Sequence, residues 1–287
     1  MALPAPVIEV DLGAGVRAGF TTRAAGSLRL AAPGAGSAAH QAHQVDQADP
    51  DGRAVAEDEV ARASWARAGR WAGGPLVFAT QVHGRDVVVV DGRSPAGPAG
   101  TGVDVVAGSV GRYDGLVSVD GAAIAVVVAD CVPVLLADAR AGVVGAVHAG
   151  RNGLAAGVVQ AAVAVMVARG AAPGRIRAAI GPAICGACYE VPADLRAAVA
   201  ARLPATWAQT SWGTPSLDLP AGVHAVLAAS GVRDVVRLDV CTFTDDRFFS
   251  HRRSVRDGAA EARFAAVIRA TAPLSGVSGD RTPVGPC

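Results

Sequence analysis

Two histidines and a cysteine stand at the ends of strongly apolar runs. His83 lies in Thr80-Gln81-Val82-His83-Gly84, Cys131 in Ala129-Asp130-Cys131-Val132-Pro133 after AIAVVV, and His148 in Val147-His148-Ala149-Gly150 at the end of VVGAV. In α/β proteins the loops at strand ends build the site. Two imidazoles and a thiolate make a three-ligand set for Zn²⁺, with the fourth position left to water or substrate. The separations of 48 and 17 residues match no compact zinc-finger spacing. Two other readings of the same residues therefore stay open. The histidines are ordinary strand-end polar groups and Cys131 a small buried hydrophobe, or Cys131 is a nucleophilic thiolate with His148 as its base.

Other segments offer different chemistry. Cys185-Gly186-Ala187-Cys188 has the spacing of a redox pair, but Ile180-Gly181-Pro182 precedes it rather than an aromatic at a strand end, and no second such pair exists to complete a zinc ribbon. It reads as a loop whose two thiols serve structure, with Tyr189-Glu190 beside it as pocket-lining residues. Phe248-Phe249-Ser250-His251-Arg252-Arg253 combines aromatic, hydroxyl, imidazole and guanidinium groups, a set suited to a phosphate and a stacked base, or equally a solvated basic segment. Thr21-Thr22-Arg23 has the same ambiguity. His40, His43 and His224 read as surface or structural residues.

The elements that must position these groups follow from the apolar pattern. The chain has 287 residues and is 51% hydrophobic, enough for a sizeable core. Its net charge is +1, every cation is arginine, and five cysteines are present. The near-neutral balance supplies no field for nucleic acid or an anionic membrane, and the absence of lysine excludes a Schiff base or a lysine-bearing phosphate loop. A mean hydropathy of +0.35 reflects Ala, Gly and Val rather than a spanning segment. The N-terminus lacks a basic leader region, so a cytoplasmic protein with thiols rather than disulfides is expected. Extended structure is expected over residues 7–22 and a surface loop over 24–52. Strands are expected at Leu76–Thr80, Val87–Asp91, Val103–Val106, Leu116–Val119, Ala122–Val128, Val134–Ala137, Val143–His148, Ile176–Ile180 and Val235–Val240. Helices are expected at Ala54–Ala72, Leu154–Arg169, Ala193–Leu203, Pro220–Ser230 and Ala259–Ala270, and a disordered tail over 273–287. The pattern predicts an α/β or α+β fold with mixed sheets, as a single domain over residues 1–272.

In order along the chain, FTTR, TQVHG, DGLVS, ADCVPVLLAD, VVGAVHAG, IGPAICGACYEV and FFSHRR together resemble the YfiH-like family, also called the multicopper polyphenol oxidase or laccase-domain family. The resemblance covers roughly residues 15–270. It implies a layered α/β/β/α fold and zinc held by His83, Cys131 and His148, with neither nicotinamide nor flavin. It also implies purine nucleoside phosphorylase chemistry with adenosine deaminase activity. The expected partners are then a purine nucleoside and inorganic phosphate, in a monomer or small homo-oligomer. Arg23, Arg151 and Arg252 are the expected phosphate or ribose contacts, and Gln81, Asp114, Ser250 and His251 the expected pocket residues.

The chain departs from the family pattern around that triad. HAGWRG becomes His148-Ala149-Gly150-Arg151-Asn152-Gly153, TTRxGGVS becomes Thr21-Thr22-Arg23-Ala24-Ala25-Gly26-Ser27, and an Asn-Arg pair gives way to acidic residues at Glu57–Glu59. The closing TGR is replaced by Ala260-Glu261-Ala262-Arg263. The expected function is zinc-dependent conversion of purine nucleosides. The alternatives are a cysteine hydrolase of a peptide or cell-wall precursor, a copper oxidase of phenols, and a zinc-binding scaffold that has lost activity. Six histidines are too few for a multicopper centre.

Overall fold

The valine- and alanine-rich runs Ala123–Val128, Val132–Asp138, Val143–Ala149 and Phe264–Ala270 become central strands that bury both faces. The computed structural model describes residues 6–29, 53–91 (backbone alone over 53–58) and 109–271. The expectations for His40, His43, Val103–Val106 and the tail lie outside the described residues, as does most of the expected 24–52 loop. In chain order the elements are β1 (Val7–Glu9), β2 (Val16–Thr21), α1 (Arg53–Ala72), β3 (Leu76–Thr80), β4 (Val87–Val90), β5 (Ser109–Arg112), β6 (Gly115–Ser118) and β7 (Ala123–Val128). Next come β8 (Val132–Asp138), β9 (Val143–Ala149), α2 (Arg151–Ala156), α3 (Val158–Ala168), β10 (Arg177–Ile180), α4 (Ala193–Arg202), β11 (Trp207–Gln209) and β12 (Pro215–Leu217). The chain closes with α5 (Leu219–Ala229), β13 (Asp234–Arg237), α6 (His251–Asp257) and β14 (Phe264–Ala270).

Two mixed six-stranded sheets result, ordered β1-β2-β14-β7-β3-β5 and β13-β10-β8-β9-β6-β4. Alternation along the strands sets the layers. In β7, Ala123 and Ala125 pack with Trp65, Ala68 and Ala72 of α1. Ile124 and Val126 point the other way, onto Leu135, Ala137, Val144 and Ala146 of the second sheet. In that sheet Val134 and Leu136 turn outward against Val159 and Met166 of α3 and Val223 and Leu227 of α5. The order is helix, sheet, sheet, helix, the α/β architecture with mixed sheets expected from the motifs. Among the described residues no helix is long and apolar enough to cross a membrane.

The pattern misleads in two places. Ala259–Ala270, expected as a helix, contains β14, an inner strand hydrogen-bonded to both β2 and β7. Its alanines favour a helix locally, but pairing on both edges and burial on both faces override that preference. The helix expected over Leu154–Arg169 is two helices, broken at Gly157, whose φ of 95° is left-handed. The basic segment after Phe249 forms α6, whose side chains are exposed or half-buried; Ser250 caps it by accepting the Arg253 N–H at 3.1 Å.

Candidate metal centre

Strand register brings the three donors together. Cys131 ends the connection from β7 in one sheet to β8 in the other. The β8–β9 pairing sets Val132 opposite Ala149 and Pro133 opposite His148, so Cys131 and His148 share one sheet end. β6 pairs with β9 so that Gly115 faces Val147, which brings Asp114 beside His148; the His148 N–H donates to the Asp114 carbonyl at 2.8 Å. His83 arrives from the turn after β3 in a left-handed conformation, φ 59°, unusual for a residue with a side chain. Its Nε2 lies 3.9 Å from the Cys131 Sγ, and its ring is 4.7 Å from the His148 ring, edge to face. All three donor atoms fall within 4.8 Å of one another.

Glycine makes this approach possible. A Cβ on Gly150 would sit 2.8 Å from His83 Cδ2 and 3.1 Å from Cys131 Sγ, and one on Gly153 would meet the Gly84 carbonyl oxygen at 2.6 Å. The start of α2 is thereby pressed against the His83 turn.

Beneath the donors lies Asp114, fully buried. Its Oδ1 accepts His148 Nδ1–H at 2.8 Å and the His83 N–H at 2.9 Å, while Oδ2 accepts the Gly84 N–H at 2.7 Å and the Val82 N–H at 3.2 Å. One carboxylate thus orients both histidines. Holding the proton on His148 Nδ1 leaves Nε2 as its donor, the arrangement common behind metal-bound imidazole. Burial disfavours charge on His148 and Cys131, but the hydrogen bonds win. Asp114 and the Cys131 sulfur push His148 up to about 9, and His148 and His83 bring the Cys131 thiol down to about 6. A thiolate between two imidazoles fits a tetrahedral divalent cation, whose donors lie roughly 3.3–3.8 Å apart.

The structure redistributes the other expected site residues. Asp114 is not a pocket residue, because burial and its four N–H partners remove it from solvent. Gln81 has its amide occupied by the Val127 backbone, donating to the carbonyl at 2.7 Å and accepting the N–H at 2.8 Å. Ser250 is buried and caps α6, and His251 is exposed and paired with Glu261 at 3.0 Å. Arg252 does reach the site. Its guanidinium lies 5.5 Å from the Tyr189 ring and donates to the Glu190 carbonyl, while its backbone N–H donates to Asp130 at 2.6 Å. Burial raises the Tyr189 pKa, and the charges of Arg151 and Arg252 oppose that rise. Arg23 lies over Phe249, itself packed in the aromatic cluster that touches Cys131. Arg252, through Asp130, and Phe249, through the shared aromatic cluster, thus lie on segments packed beside Cys131, while Arg23 stands over Phe249 and Arg151 bonds to Asn152. His224 is exposed on α5, as expected of a surface residue. The Asp114 orienter was missed as such because only the strand register, not the motif DGLVS, places it under His148.

Comparison with known proteins places the chain in a family. Residues 17–271 match the family described as multi-copper polyphenol oxidoreductase laccase. The chain is 51% identical over 212 residues to purine nucleoside phosphorylase ORF3 of Streptomyces griseus, covering 72% of this chain and 82% of that one. It is 35% identical over 192 residues to adenosine deaminase RL5 of an unknown prokaryotic organism, covering 62% and 70%. The fold superposes on YlmD from Geobacillus stearothermophilus with a TM-score of 0.73 at 27% identity, over 95% of this chain and 98% of that one. The chain belongs to the multi-copper polyphenol oxidoreductase laccase family, the family that its series of motifs resembles.

Proposed function

We propose that this chain is a zinc enzyme of purine nucleosides, acting as a phosphorylase and as an adenosine deaminase. The observation that carries the reading is the convergence of His83, Cys131 and His148 over one buried carboxylate. The names of the Streptomyces and RL5 relatives support the substrate class. His83 Nε2, His148 Nε2 and Cys131 Sγ would hold the ion. When bound, it supplies Lewis acidity and lowers the pKa of water from about 15.7 to about 7.

The remaining work falls to the chain itself. Asp114 keeps the proton on His148 Nδ1 and fixes both imidazoles. Phe249 and Tyr189 offer flat faces for a purine, and Arg23, Arg151 and Arg252 offer charge for phosphate. Deamination adds water at C6 of adenine and releases ammonia. Phosphorolysis moves the ribose C1′ from the purine nitrogen to a phosphate oxygen, and needs the arginines more.

Assays of adenosine and inosine, each with and without phosphate, test the reading. Ammonia from adenosine without phosphate, and hypoxanthine from inosine only with phosphate, are expected. Stoichiometric metal without turnover of either nucleoside would instead indicate a scaffold, and copper with phenol oxidation an oxidase. One observation favours a second reading. Cys131, a thiolate beside an Asp114-oriented His148, is also the arrangement of a cysteine hydrolase. Activity that survives exhaustive chelation but is abolished by thiol alkylation would select it.

A further inference from the structure

A second set of soft donors gathers away from His83. Cys185 and Cys188 lie in the loop after β10, Cys241 in the segment after β13, and their sulfurs all fall within 4.8 Å of one another. All three are free thiols. Backbone pairing stitches the two segments together. Ala183 bridges Cys241 in parallel, the Ala183 N–H donates to the Val240 carbonyl at 3.2 Å, and the Thr242 N–H donates to the Ala183 carbonyl at 3.0 Å. A turn in which the Cys188 and Tyr189 N–H groups both donate to the Cys185 carbonyl, at 3.0 and 2.9 Å, folds Cys188 back beside Cys185. The Cys185 N–H points at the Cys241 sulfur, 3.4 Å away, a contact that favours thiolate. Cys188 is buried, while Cys185 and Cys241 are half-buried, so the cluster is shielded but open on one side.

We propose that Cys185, Cys188 and Cys241 form a second metal centre, a three-thiolate site for a soft or borderline divalent cation of the zinc type. The Cys-x-x-Cys spacing supplies two ligands from one turn, as in structural zinc sites, and the third comes from a distant segment. Tetrahedral thiolates at about 2.3 Å from zinc stand roughly 3.8 Å apart, which small side-chain rotations reach from the observed spacing. Solvent completes the fourth position on the open side. Binding releases the thiol protons and changes no oxidation state.

The site has a structural consequence for the first centre. The Ile184 N–H donates to the Asp130 carbonyl at 3.0 Å, Thr242 Oγ1–H donates to Asp130 Oδ1 at 2.6 Å, and the Arg252 N–H reaches Oδ2 at 2.6 Å. Asp130 immediately precedes Cys131 and is held at φ 83°, a conformation that must be imposed from outside. An ion clasping residues 185, 188 and 241 would fasten the segments that impose it.

The full chain carrying Cys131→Ser and Cys287→Ser retains these three as its only cysteines. After reduction and chelation it is titrated with Co²⁺ while near-ultraviolet absorption is followed. A thiolate-to-cobalt charge-transfer band saturating at one equivalent is expected, along with a higher melting temperature. Adding Cys241→Ser should abolish the one-equivalent band; should that variant fail to melt cooperatively, Cys185→Ser is used and should weaken the band. A folded protein with no band, a band indifferent to both substitutions, or a metal-free Cys185–Cys188 disulfide in protein purified without reductant overturns the proposal. Because Cys131 is absent from every arm, failure here leaves the nucleoside reading untouched.

Discussion

The donor triad and the arginines expected to contact phosphate are held in opposite ways. His83, Cys131 and His148 are fixed by sheet register, by two left-handed backbones at His83 and Asp130, and by a buried carboxylate with both oxygens engaged. Arg23 is exposed, Arg151 and Arg252 are half-buried, and each is tied down by a backbone carbonyl or a neighbouring side chain. The side chains of these arginines bond to Asp246, Asn152 and Glu190, none of them within β1–β14, whereas the Asp114 carboxylate joins the His83 turn to β9. This difference explains how HAGWRG can become His148-Ala149-Gly150-Arg151-Asn152-Gly153 without loss of the donor geometry.

The largest expected effect comes from the support of the triad. Asp114→Ala leaves His148 Nδ1–H and three backbone N–H groups without their acceptor. Metal affinity should fall by about 10- to 100-fold, and stability by about 3–5 kcal/mol, read by competitive chelation and by denaturant unfolding. Asp114→Asn should recover part of the stability and little of the affinity, because an amide cannot accept all four donors. Equal affinity in Asp114→Ala and the parent would show that the carboxylate does not orient the ligands.

Gly150→Ala tests the close approach itself. The added methyl overlaps His83, so the His83 turn must shift. A displacement on the order of 1 Å should lower kcat by about 100-fold, with a stability loss of about 1–3 kcal/mol. Unchanged kcat on adenosine would mean that His83 is not needed in its observed position.

Substitutions at Arg252 and Asn152 should be milder and selective. On the proposed phosphate role, Arg252→Ala would cost one charged hydrogen bond, about 1.5–3 kcal/mol, and should raise the apparent KM for phosphate in inosine cleavage by at least about tenfold. Asn152→Arg should lower it by about tenfold or more. Adenosine deamination should change little in either variant. Equal changes in both reactions would indicate a packing effect rather than a phosphate site.

The smallest effect on activity belongs to Asp138, at the far end of β8 from Cys131. Burial alone would raise its pKa, but the N–H groups of Ala172 and Ala141 and the Arg175 guanidinium hold it below the usual range. A carboxyl depressed in the folded state stabilises the protein above its unfolded value of about 3.9 and loses that contribution as the pH falls through the folded value. Asp138→Asn should therefore cost about 1–3 kcal/mol at pH 7 and flatten the loss of stability below pH 4. Metal content should stay unchanged. An unaltered acid-unfolding profile would remove Asp138 from this role.

Much of the triad was legible from the chain because each donor ends an apolar run that could only be a strand. Its support was not, since Asp114 meets His148 through pairing of β6 with β9, a long-range fact that motif spacing does not carry. The third thiol, Cys241, was hidden for the same reason: only the bridge between Ala183 and Cys241 brings it to the Cys185 loop. The polar atoms of Gln81, Ser250 and His251 Nδ1 are engaged by Val127, the start of α6 and Glu261, partners that residue type alone does not reveal. The edges of β7, β8 and β9 were read to within a residue or two. By contrast β14 was misread, because a strand buried on both faces has no polar alternation to mark its period.

The central claim is that His83, Cys131 and His148 hold the zinc on which nucleoside turnover depends. The direct measurement is zinc per chain, with adenosine and inosine turnover, in the parent and in Cys131→Ser purified without chelator. Cys131→Ser is expected to carry one equivalent less zinc and to turn over neither nucleoside, while its melting transition stays cooperative. Full retention of zinc in Cys131→Ser, or undiminished turnover after its loss, would contradict it.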